Sequence, residues 1–392
     1  MSQELISRSA DLKRLRDDGY DIDVIDGYLL LRNVPYVNSS REIKYGTLVS
    51  KLRLAGDVTD KPDDHVAYFA GDHPCHMNGS EILGIKHGSE VKTLAGLVVN
   101  HSFSNKPPAG YEDYHAKMTR YETIIAAPAE AIDPSVTAKT FPVVEAREDE
   151  SVFKYIDTAS SRAEITVVIK KLELGKIAIV GLGGTGSYVL DLVAKTPVKE
   201  IHLFDGDQFS QHNAFRSPGA PSVEELRKRP TKVAFFKEKY SAMRRSIVDH
   251  SCYVDSSNVD QLQAMDFVFL CLDKGAAKKL VVRKLEECGT SFIDVGMGVE
   301  LVDDSLLGLV RTTTSTANQR EHLNVKDRIP FQDGGADNEY SRNIQIADLN
   351  ALNAALAVIK WKKLYHFYVD LEREHNSTYA ISGNEMTNED QL

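Results

Sequence analysis

The segment from Lys176 to Arg216 constrains the fold of this chain more than any other stretch. The apolar, β-branched run Ile177–Val180 predicts a buried parallel strand, and Ile201–Phe204 predicts a second one that ends at Asp205. Between them, residues 187–194 have the pattern of a helix. The turn before that helix contains four glycines, Gly181, Gly183, Gly184 and Gly186. This order of strand, glycine turn, helix, strand and acid is typical of a nucleotide-binding βαβ unit rather than of a turn that binds nothing.

Further apolar runs extend this unit into a domain. Asp266–Leu272, Phe292–Val295 and Leu306–Thr313 predict strands, and Ala347–Phe367 predicts a long helix. We therefore predict an α/β fold, a doubly wound Rossmann-like sheet, over residues 151–392. Residues 1–145 predict a smaller N-terminal α+β domain, with a linker near residues 135–150.

Some local predictions concern the ends of these domains. We expect a charged helix over residues 1–20 and a helical lead-in over residues 151–171. The basic stretch Val223–Tyr240 predicts one helix. Residues 315–345 predict a long polar loop, and the last twenty residues predict a frayed terminus.

Composition excludes several classes of protein. The formal net charge of −10 argues against general nucleic-acid binding and against a membrane-surface protein, both of which need basic surfaces. No apolar run reaches the length of a membrane span, and the first residues lack the apolar core of a signal peptide. We therefore expect a cytoplasmic protein. Its four cysteines include no CxxC pair, so a disulfide framework is not indicated.

Polar residues at the carboxyl ends of the predicted strands indicate which nucleotide chemistry the crevice serves. In a doubly wound sheet these ends line a single crevice. The crevice would hold a ribose acceptor, an amide, two cations and a carboxylate suited to a metal: Asp205, Asn213, Arg216, Lys232 and Asp273. Dehydrogenases need no such pair of cations. An enzyme that breaks an α–β phosphoanhydride does, because charge gathers on the leaving pyrophosphate.

Five motifs in order resemble the adenylation core shared by ThiF, MoeB and the ubiquitin-activating enzymes. They are GLGGTGS, LFDGD, HNAFR, the lysine Lys232, and CLD with Asp273, and the stretch NIQIADLNALNAALAVIKW resembles the family's closing helix. The resemblance covers residues 160–367. It implies the family fold, the use of ATP with Mg²⁺, and a homodimer or pseudodimer in which the closing helix packs at the interface.

The resemblance also implies a role for each matching residue. Asp205 takes the place of the ribose-binding acid, with Asp207 in the same motif and the four glycines around the phosphates. Asn213, Arg216 and Lys232 resemble the triphosphate contacts, and Asp273 resembles the Mg²⁺ ligand. Arg162 is the nearest candidate for the arginine that reaches the partner subunit's ATP, although it lies closer to the glycine loop than the family pattern has it.

The cysteines and histidines depart from the family pattern. Without paired CxxC motifs, we expect no zinc in the adenylation domain. Residues 315–345 contain no cysteine where relatives keep a thioester cysteine, and Cys252, Cys271 and Cys288 lie in or beside apolar runs, so we expect them to be packed. Cys75 is the one candidate for a thioester. It lies in the polar stretch GDHPCHMNG beside His73 and His76, which reads as an activated thiol, as a metal site completed by His101 or His115, or as a simple polar loop.

These observations predict an ATP-dependent adenylyltransferase that activates a carboxylate. By resemblance, the substrate is the C-terminal glycine of a ubiquitin-like protein, and a downstream conjugating protein would receive the activated group. The whole arrangement resembles bacterial proteins that join an N-terminal domain of unknown role to a ThiF-type core, in operons for ubiquitin-like conjugation or defence. The alternatives are adenylation of a small-molecule or tRNA-attached carboxylate, an NAD-dependent oxidoreductase, and a non-catalytic nucleotide-binding module.

Overall fold

The computed structural model describes residues 2–149, 151–331 and 344–392, and the chain divides into two compact units. The first unit comprises Met1–Val144 and Thr158–Ala163. The second unit comprises Glu145–Asp157 and Glu164–Leu392. Each unit has a hydrophobic core of its own. None of the helices in the described ranges combines the length and the apolar character that a membrane crossing needs.

The first unit is built on a six-stranded antiparallel sheet of order β1-β2-β3-β6-β10-β7. The strands are β1 Ile22–Ile25, β2 Tyr28–Val37, β3 Ile43–Lys51, β4 Leu54–Ala55, β5 Val58–Thr59, β6 Val66–Ala70, β7 Lys86–Gly88, β8 Lys92–Leu94, β9 Leu97–Val99 and β10 His101–Ser104. The helices are α1 Ser2–Arg8, α2 Ala10–Asp17, α3 Tyr114–Ile132 and α4 Thr158–Arg162.

Helix α3 packs on the sheet of the first unit and completes its core. Asp113 caps the helix, because its side chain accepts a hydrogen bond from the Ala116 backbone N–H at 2.7 Å. Met118 and Tyr121 on α3 join Phe69 of β6 in one buried cluster. The single helix predicted over residues 1–20 is wrong in detail. The chain forms α1 and α2 instead, since Ser9 between them has extended backbone angles.

The second unit contains an eight-stranded sheet of order β13-β12-β11-β14-β15-β16-β17-β18. The strands are β11 Lys176–Val180, β12 Glu200–Phe204, β13 Ile247–His250, β14 Phe267–Leu270, β15 Ser291–Val302, β16 Ser305–Ser315, β17 Asn376–Ala380 and β18 Glu385–Glu389. The first five in the sheet order pair in parallel and the last three pair antiparallel. The α/β doubly wound sheet and the separate N-terminal α+β unit are thus confirmed.

Helices cover both faces of this sheet. They are α5 Thr166–Ile169, α6 Gly184–Val193, α7 Gln211–Ala214, α8 Val223–Arg227, α9 Lys232–Ser241, α10 Gly275–Cys288, α11 Glu321–Val325 and α12 Ala347–Leu364, with 3₁₀ turns at Lys170–Leu172 and Val259–Ala264. One core cluster joins residues of α6, α9 and α12 to the sheet, including the fully buried Trp361. A second cluster joins α10 to the sheet. Burial on both faces explains the continuous apolar runs of β11 and β14.

Local differences from the predicted helices have identifiable causes. The helix predicted over 223–240 is interrupted between α8 and α9, where Arg229 has a φ of +47° and Pro230 follows. Thr231 then caps α9 by accepting a hydrogen bond from Ala234 N–H at 3.2 Å. The predicted lead-in over 151–171 contains only short helical turns. Part of the loop predicted over 315–345 lies outside the described residues.

The C-terminal prediction is wrong, because the last residues form the hairpin β17–β18 on the edge of the sheet. Polar side chains stabilise it. The Asn376 amide accepts a hydrogen bond from Thr313 at 2.8 Å, and the Asp390 carboxylate, 1% exposed, pairs with Lys326 and Arg328. Edge strands held in this way need no apolar alternation, so their sequence resembles a polar tail.

Candidate active site

The glycine turn joins β11 to α6, and its geometry requires glycine at two positions. Gly181 has a φ of +93°, and a Cβ there would lie 2.5 Å from the Cys271 carbonyl oxygen. A Cβ on Gly186 would lie 1.9 Å from the Gly181 carbonyl oxygen. Both obstacles are backbone atoms, which a side-chain rotation cannot move. The turn therefore depends on these two glycines for its shape.

The other two glycines of the turn, Gly184 and Gly183, have different surroundings. A Cβ on Gly184 would lie 2.2 Å from the Asn350 amide, and Asn350 of α12 also accepts a hydrogen bond from the Thr185 hydroxyl at 2.8 Å. Helix α12 thus rests directly on the first turn of α6. By contrast, a Cβ on Gly183, the residue before the helix, would have no neighbour within 4 Å among the described residues apart from those adjacent in the chain. This position at the start of α6 is therefore open as far as the described residues extend, and the N–H groups of the helix suit a phosphate.

Asp205 follows β12 and organises the glycine turn from within the protein. One carboxylate oxygen accepts the Leu182 backbone N–H at 2.7 Å, and the other accepts the Asp207 N–H at 2.8 Å. The residue is 8% exposed. Since each carboxylate oxygen can accept more than one hydrogen bond, these contacts leave capacity for a ribose hydroxyl. Asp205 thus has a structural role that the sequence did not reveal, beside the predicted binding role.

Asp207 and Lys232 form an ion pair at the same strand end. The Lys232 ammonium lies 2.7 Å from Asp207 Oδ2 and 3.5 Å from Asp205 Oδ2, and Lys232 is 6% exposed. The second oxygen of Asp207 accepts a hydrogen bond from the Tyr253 hydroxyl. Lys232 first, and Tyr253 second, hold the pKa of the Asp207 carboxyl below its usual range. Tyr253 is a site residue that sequence reasoning missed.

Asn213 and Arg216 belong to the short helix α7 and the turn after it. Asn213, 3% exposed, accepts the Ser210 backbone N–H through its side-chain oxygen at 2.9 Å, which fixes the orientation of the amide. Its Nδ2 and the Arg216 Nε are buried and have no hydrogen-bond partner among the described residues. Unpaired buried donors are rare in folded proteins. Two of them on neighbouring residues fit a site that an anion completes.

Asp273 lies just beyond β14 and just before α10, and its side chain is exposed. The described ranges contain no group of three or more His, Cys, Asp or Glu residues arranged to hold a metal ion. Mg²⁺ is usually bound through one or two carboxylates together with substrate phosphates rather than by a cage of protein ligands. The exposed carboxylate of Asp273 beside the open glycine turn therefore fits Mg²⁺ that arrives with a nucleotide.

The structure brings most of the predicted residues to one edge of the sheet. The glycine turn follows β11, Asp205 and Asp207 follow β12, and Asp273 follows β14, and these three strands are neighbours. Arg162 belongs to the first unit, where its guanidinium lies 5.2 Å from the centre of the Phe141 ring. Its predicted role concerns a partner subunit's site and stays a prediction.

A cavity of about 670 Å³ lies beside α7 and α8. Its lining includes Ala214 and the exposed Phe215, with Arg227 and Arg229 as its charged residues. Neither Asn213 nor Arg216 lines it. We therefore do not assign this cavity to the nucleotide.

The exposure of two cysteines differs from what their sequence surroundings indicate, and the prediction for one of them, Cys288, is wrong. Cys75 is 1% exposed, since its backbone pairs with Val37 and Glu81, and burial raises the pKa of its thiol. The residues around Cys75 in the sequence are polar, so its burial could not be predicted from them. Cys288, predicted to be packed, is exposed at the end of α10. Cys271 packs against the core, and burial raises the pKa of its thiol as well.

The histidines near Cys75 do not form the metal site that was one alternative. His115 is engaged elsewhere, with its Nε2 at 2.8 Å from the Asp18 carboxylate. His73 and His101 do contact each other, edge to face, with ring centres 4.9 Å apart. As noted above, the described residues provide no third ligand for them. Burial lowers the pKa of His101, with His73 as the second cause.

Parts of the chain are similar to known families and to solved structures. Residues 10–158 match the domain of unknown function DUF6791. No curated protein matches the chain significantly. Similar solved structures include PaaA, with 16% identity and a TM-score of 0.46 over 58% of this chain and 76% of that one. Others are E. coli MccB with MccA, with 16% identity and a TM-score of 0.46 over 60% of this chain and 69% of that one, and E. coli MccB with ATP, with 17% identity, a TM-score of 0.45 and the same coverage.

The family of the second unit follows from the sequence match and not from these structures. Residues 159–334 match the model of the ThiF family. That range includes the glycine turn and every predicted site residue. This match supports ATP-dependent adenylation of a carboxylate as the general class of activity. The chain therefore carries a ThiF family domain at residues 159–334, after a domain of unknown function.

Proposed function

We propose that this protein is an ATP-dependent adenylyltransferase whose substrate is the C-terminal glycine carboxylate of a small ubiquitin-like protein. The observation that carries the proposal is the pair of unpartnered, buried donors, Asn213 Nδ2 and Arg216 Nε, in a domain with an open glycine turn. A buried donor without a partner destabilises the folded protein unless a ligand accepts its hydrogen bond. A nucleoside triphosphate is the ligand that suits both the donors and the helix N-terminus.

The reaction would proceed by in-line attack of the carboxylate on the α-phosphorus of ATP. The new bond is an acyl–phosphate bond, the bond that breaks joins the α- and β-phosphates, and pyrophosphate leaves with the electron pair. A C-terminal carboxylate is already ionised at neutral pH, so no general base is needed. The protein's contribution is to position the reactants and to offset charge.

Each site residue has a role in this proposal. The N–H groups at the start of α6 would bind phosphate oxygens, and Asp205 would accept hydrogen bonds from the ribose. Asn213, Arg216 and Lys232 would contact the triphosphate. Asp273 would hold Mg²⁺, which supplies charge neutralisation on the phosphates when bound. The Lys232 ammonium has three N–H donors, so it would contact a phosphate oxygen while it stays paired with Asp207.

The remaining parts of the proposal come from the family resemblance. We propose a homodimer in which Arg162 reaches the partner subunit's nucleotide, and a downstream conjugating protein that takes the activated group. All four cysteines are free thiols, which suits the reducing cytoplasm that we propose as the location. The buried Cys75 argues against a thioester at that residue, so we propose that the adenylate passes directly to the acceptor.

Adenylation of a small-molecule or tRNA-attached carboxylate is the main alternative, since nothing in the site excludes a smaller acyl group. The chain's net charge of −10 disfavours tRNA. An NAD-dependent oxidoreductase would not need the unpaired donors. A non-catalytic nucleotide-binding module would bind ATP without exchanging pyrophosphate.

The test is ATP–pyrophosphate exchange with Mg²⁺ and a panel of ubiquitin-like proteins that end in glycine. We expect exchange that depends on the terminal glycine and that falls on the order of 10²-fold in Arg216→Ala, the size of losing one charged contact to the transition state. Arg227→Ala, which lines the separate cavity beside α8, is the matched control and should exchange normally. Exchange supported by a small carboxylate and by none of the proteins would favour the main alternative.

A further inference from the structure

Tyr253 is an exposed aromatic residue that is nevertheless fixed in place. Its side chain is 56% exposed, yet its hydroxyl donates a hydrogen bond to Asp207 Oδ1. The ring lies so close to the backbone of Gly206 that a Cβ on this glycine would be 2.8 Å from two ring carbons. The Lys274 ammonium lies over the ring, 5.0 Å from its centre. An aromatic side chain that contacts residues 206–207 on one side and Lys274 on another has a defined position.

Asp207, the partner of Tyr253, binds the phenol through one carboxylate oxygen and Lys232 through the other. The Asp207 side chain is 49% exposed, and its other oxygen anchors the Lys232 ammonium at 2.7 Å. Lys232 is held more weakly by Asp205, at 3.5 Å. The backbone of this region does not depend on these side chains, because the Lys232 N–H donates to the Asp207 carbonyl at 2.9 Å. Loss of the phenol would therefore free side chains and leave the fold intact.

We propose that Tyr253 is a positioning residue that acts through Asp207. Its hydroxyl fixes the carboxylate so that Oδ2 holds the Lys232 ammonium at the edge of the nucleotide site. Without it, the carboxylate rotates into solvent, and Lys232 has to be ordered each time a nucleotide binds. Ordering a lysine side chain costs conformational entropy, so nucleotide affinity falls. This inference rests on the proposed function only for the nucleotide, and the anchoring of Lys232 stands independently of it.

The electrostatics of the group agree with this arrangement. The hydrogen bond to Asp207 raises the pKa of the Tyr253 phenol, so the hydroxyl keeps its proton and remains a donor at neutral pH. The charged groups that face Asp207 are Lys232, which pairs with it, Lys274 and, through the shared lysine, Asp205. The carboxylate therefore stays ionised and able to hold the ammonium.

The test compares Tyr253→Phe with Tyr240→Phe in the full chain. Tyr240 is a matched control, because its hydroxyl donates to the Asp191 carboxylate at 2.9 Å, a tyrosine–aspartate hydrogen bond that involves no site residue. The first readout needs no nucleotide. It is the rate at which Lys232 is acylated by a soluble succinimidyl ester, followed by peptide mass spectrometry. The second readout is the Kd for Mg-ATP, measured by calorimetry.

We expect Tyr253→Phe to raise the Lys232 acylation rate and to weaken Mg-ATP binding, each by about two- to tenfold, the size of one hydrogen bond. Tyr240→Phe should change neither. In an Asp207→Asn background, the further change Tyr253→Phe should alter the acylation rate and the Kd little, because Tyr253 acts through Asp207. An unchanged acylation rate in Tyr253→Phe would overturn the inference. If the wild-type protein binds no Mg-ATP while Lys232 acylation still responds, the proposed function fails and the anchoring role stands.

Discussion

Two glycines of the same turn should respond in opposite ways to an added methyl group. Gly183→Ala places the methyl at the start of α6, where no described residue apart from its chain neighbours lies within 4 Å, whereas Gly186→Ala places it 1.9 Å from the Gly181 carbonyl oxygen. Gly183 has a φ of −71°, which lies outside the left-handed region that favours glycine. The two substitutions therefore separate the space that a ligand needs from the space that the fold needs.

The magnitudes follow from these distances. For Gly183→Ala, alanine caps the helix less well than glycine, which lowers the free energy of unfolding, but it also restricts the unfolded chain, which raises that free energy. The two effects cancel to within about 1 kcal/mol. A methyl group where phosphate approaches the backbone should remove a hydrogen bond to a charged group, about 1.5–3 kcal/mol, or about 10- to 100-fold in the Kd for ATP. For Gly186→Ala, an overpacking cost of about 3 kcal/mol exceeds the helix-propensity gain of about 1 kcal/mol. The net loss of about 2 kcal/mol corresponds to a fall in Tm of about 4–8 °C.

The assay is thermal unfolding of both variants together with calorimetric titration of Mg-ATP. We expect Gly183→Ala to keep its Tm and to lose ATP affinity, and Gly186→Ala to lose Tm. The reasoning about the turn would be refuted by a Gly186→Ala protein that is as stable as the wild type or more stable. The assignment of the open space to a phosphate would be refuted by a Gly183→Ala protein with normal ATP affinity.

Three further predictions concern the metal, the core and the thiols. Asp273→Ala should abolish Mg²⁺-dependent pyrophosphate exchange at an unchanged Tm, and near-normal exchange would remove the metal role from this residue. Asp294→Ala should lower the free energy of unfolding, measured by denaturant titration, by about 3–5 kcal/mol. The reason is that the fully buried Asp294 carboxylate pairs with Lys278 at 2.9 Å and with Arg311 at 2.6 Å. A decrease of less than about 1 kcal/mol would contradict this prediction. In the native protein a maleimide should label the exposed Cys288 first and the buried Cys75 last, as peptide mass spectrometry would reveal, and rapid labelling of Cys75 would show that its loop opens.

The sequence was sufficient to predict the centre of the second unit. Strands β11 and β14 are buried on both faces, so each contains a continuous apolar run, Ile177–Val180 and Phe267–Leu270, that cannot be mistaken for a surface element. The glycine turn is equally plain, since its shape depends on residues without a Cβ. With the turn identified, the sequence also predicts that Asp205 and Asp273 follow strands β12 and β14, as they do in the structure, while their binding roles stay predictions.

The parts that the sequence did not reveal depend on contacts between distant segments. The hairpin β17–β18 is held by polar pairs such as Ser377 with Asn388, which look like a solvated tail in the sequence. Tyr253 lies 46 residues after Asp207 and meets it only in the folded sheet. Cys75 is buried because its backbone pairs with Val37 of β2, although the residues around it in the sequence are polar. In each case the stabilising partner has no local signal.

The most direct measurement of the central claim is the mass spectrum of a ubiquitin-like protein incubated with this protein and Mg-ATP. If the site activates a C-terminal carboxylate, the substrate should gain the mass of one adenylyl group, with release of pyrophosphate, and the gain should vanish when its terminal glycine is removed or when Arg216 is replaced by alanine. A substrate panel that stays unmodified while the protein binds Mg-ATP normally would contradict the account, as would an adenylyl group that remains on the substrate after its terminal glycine is deleted.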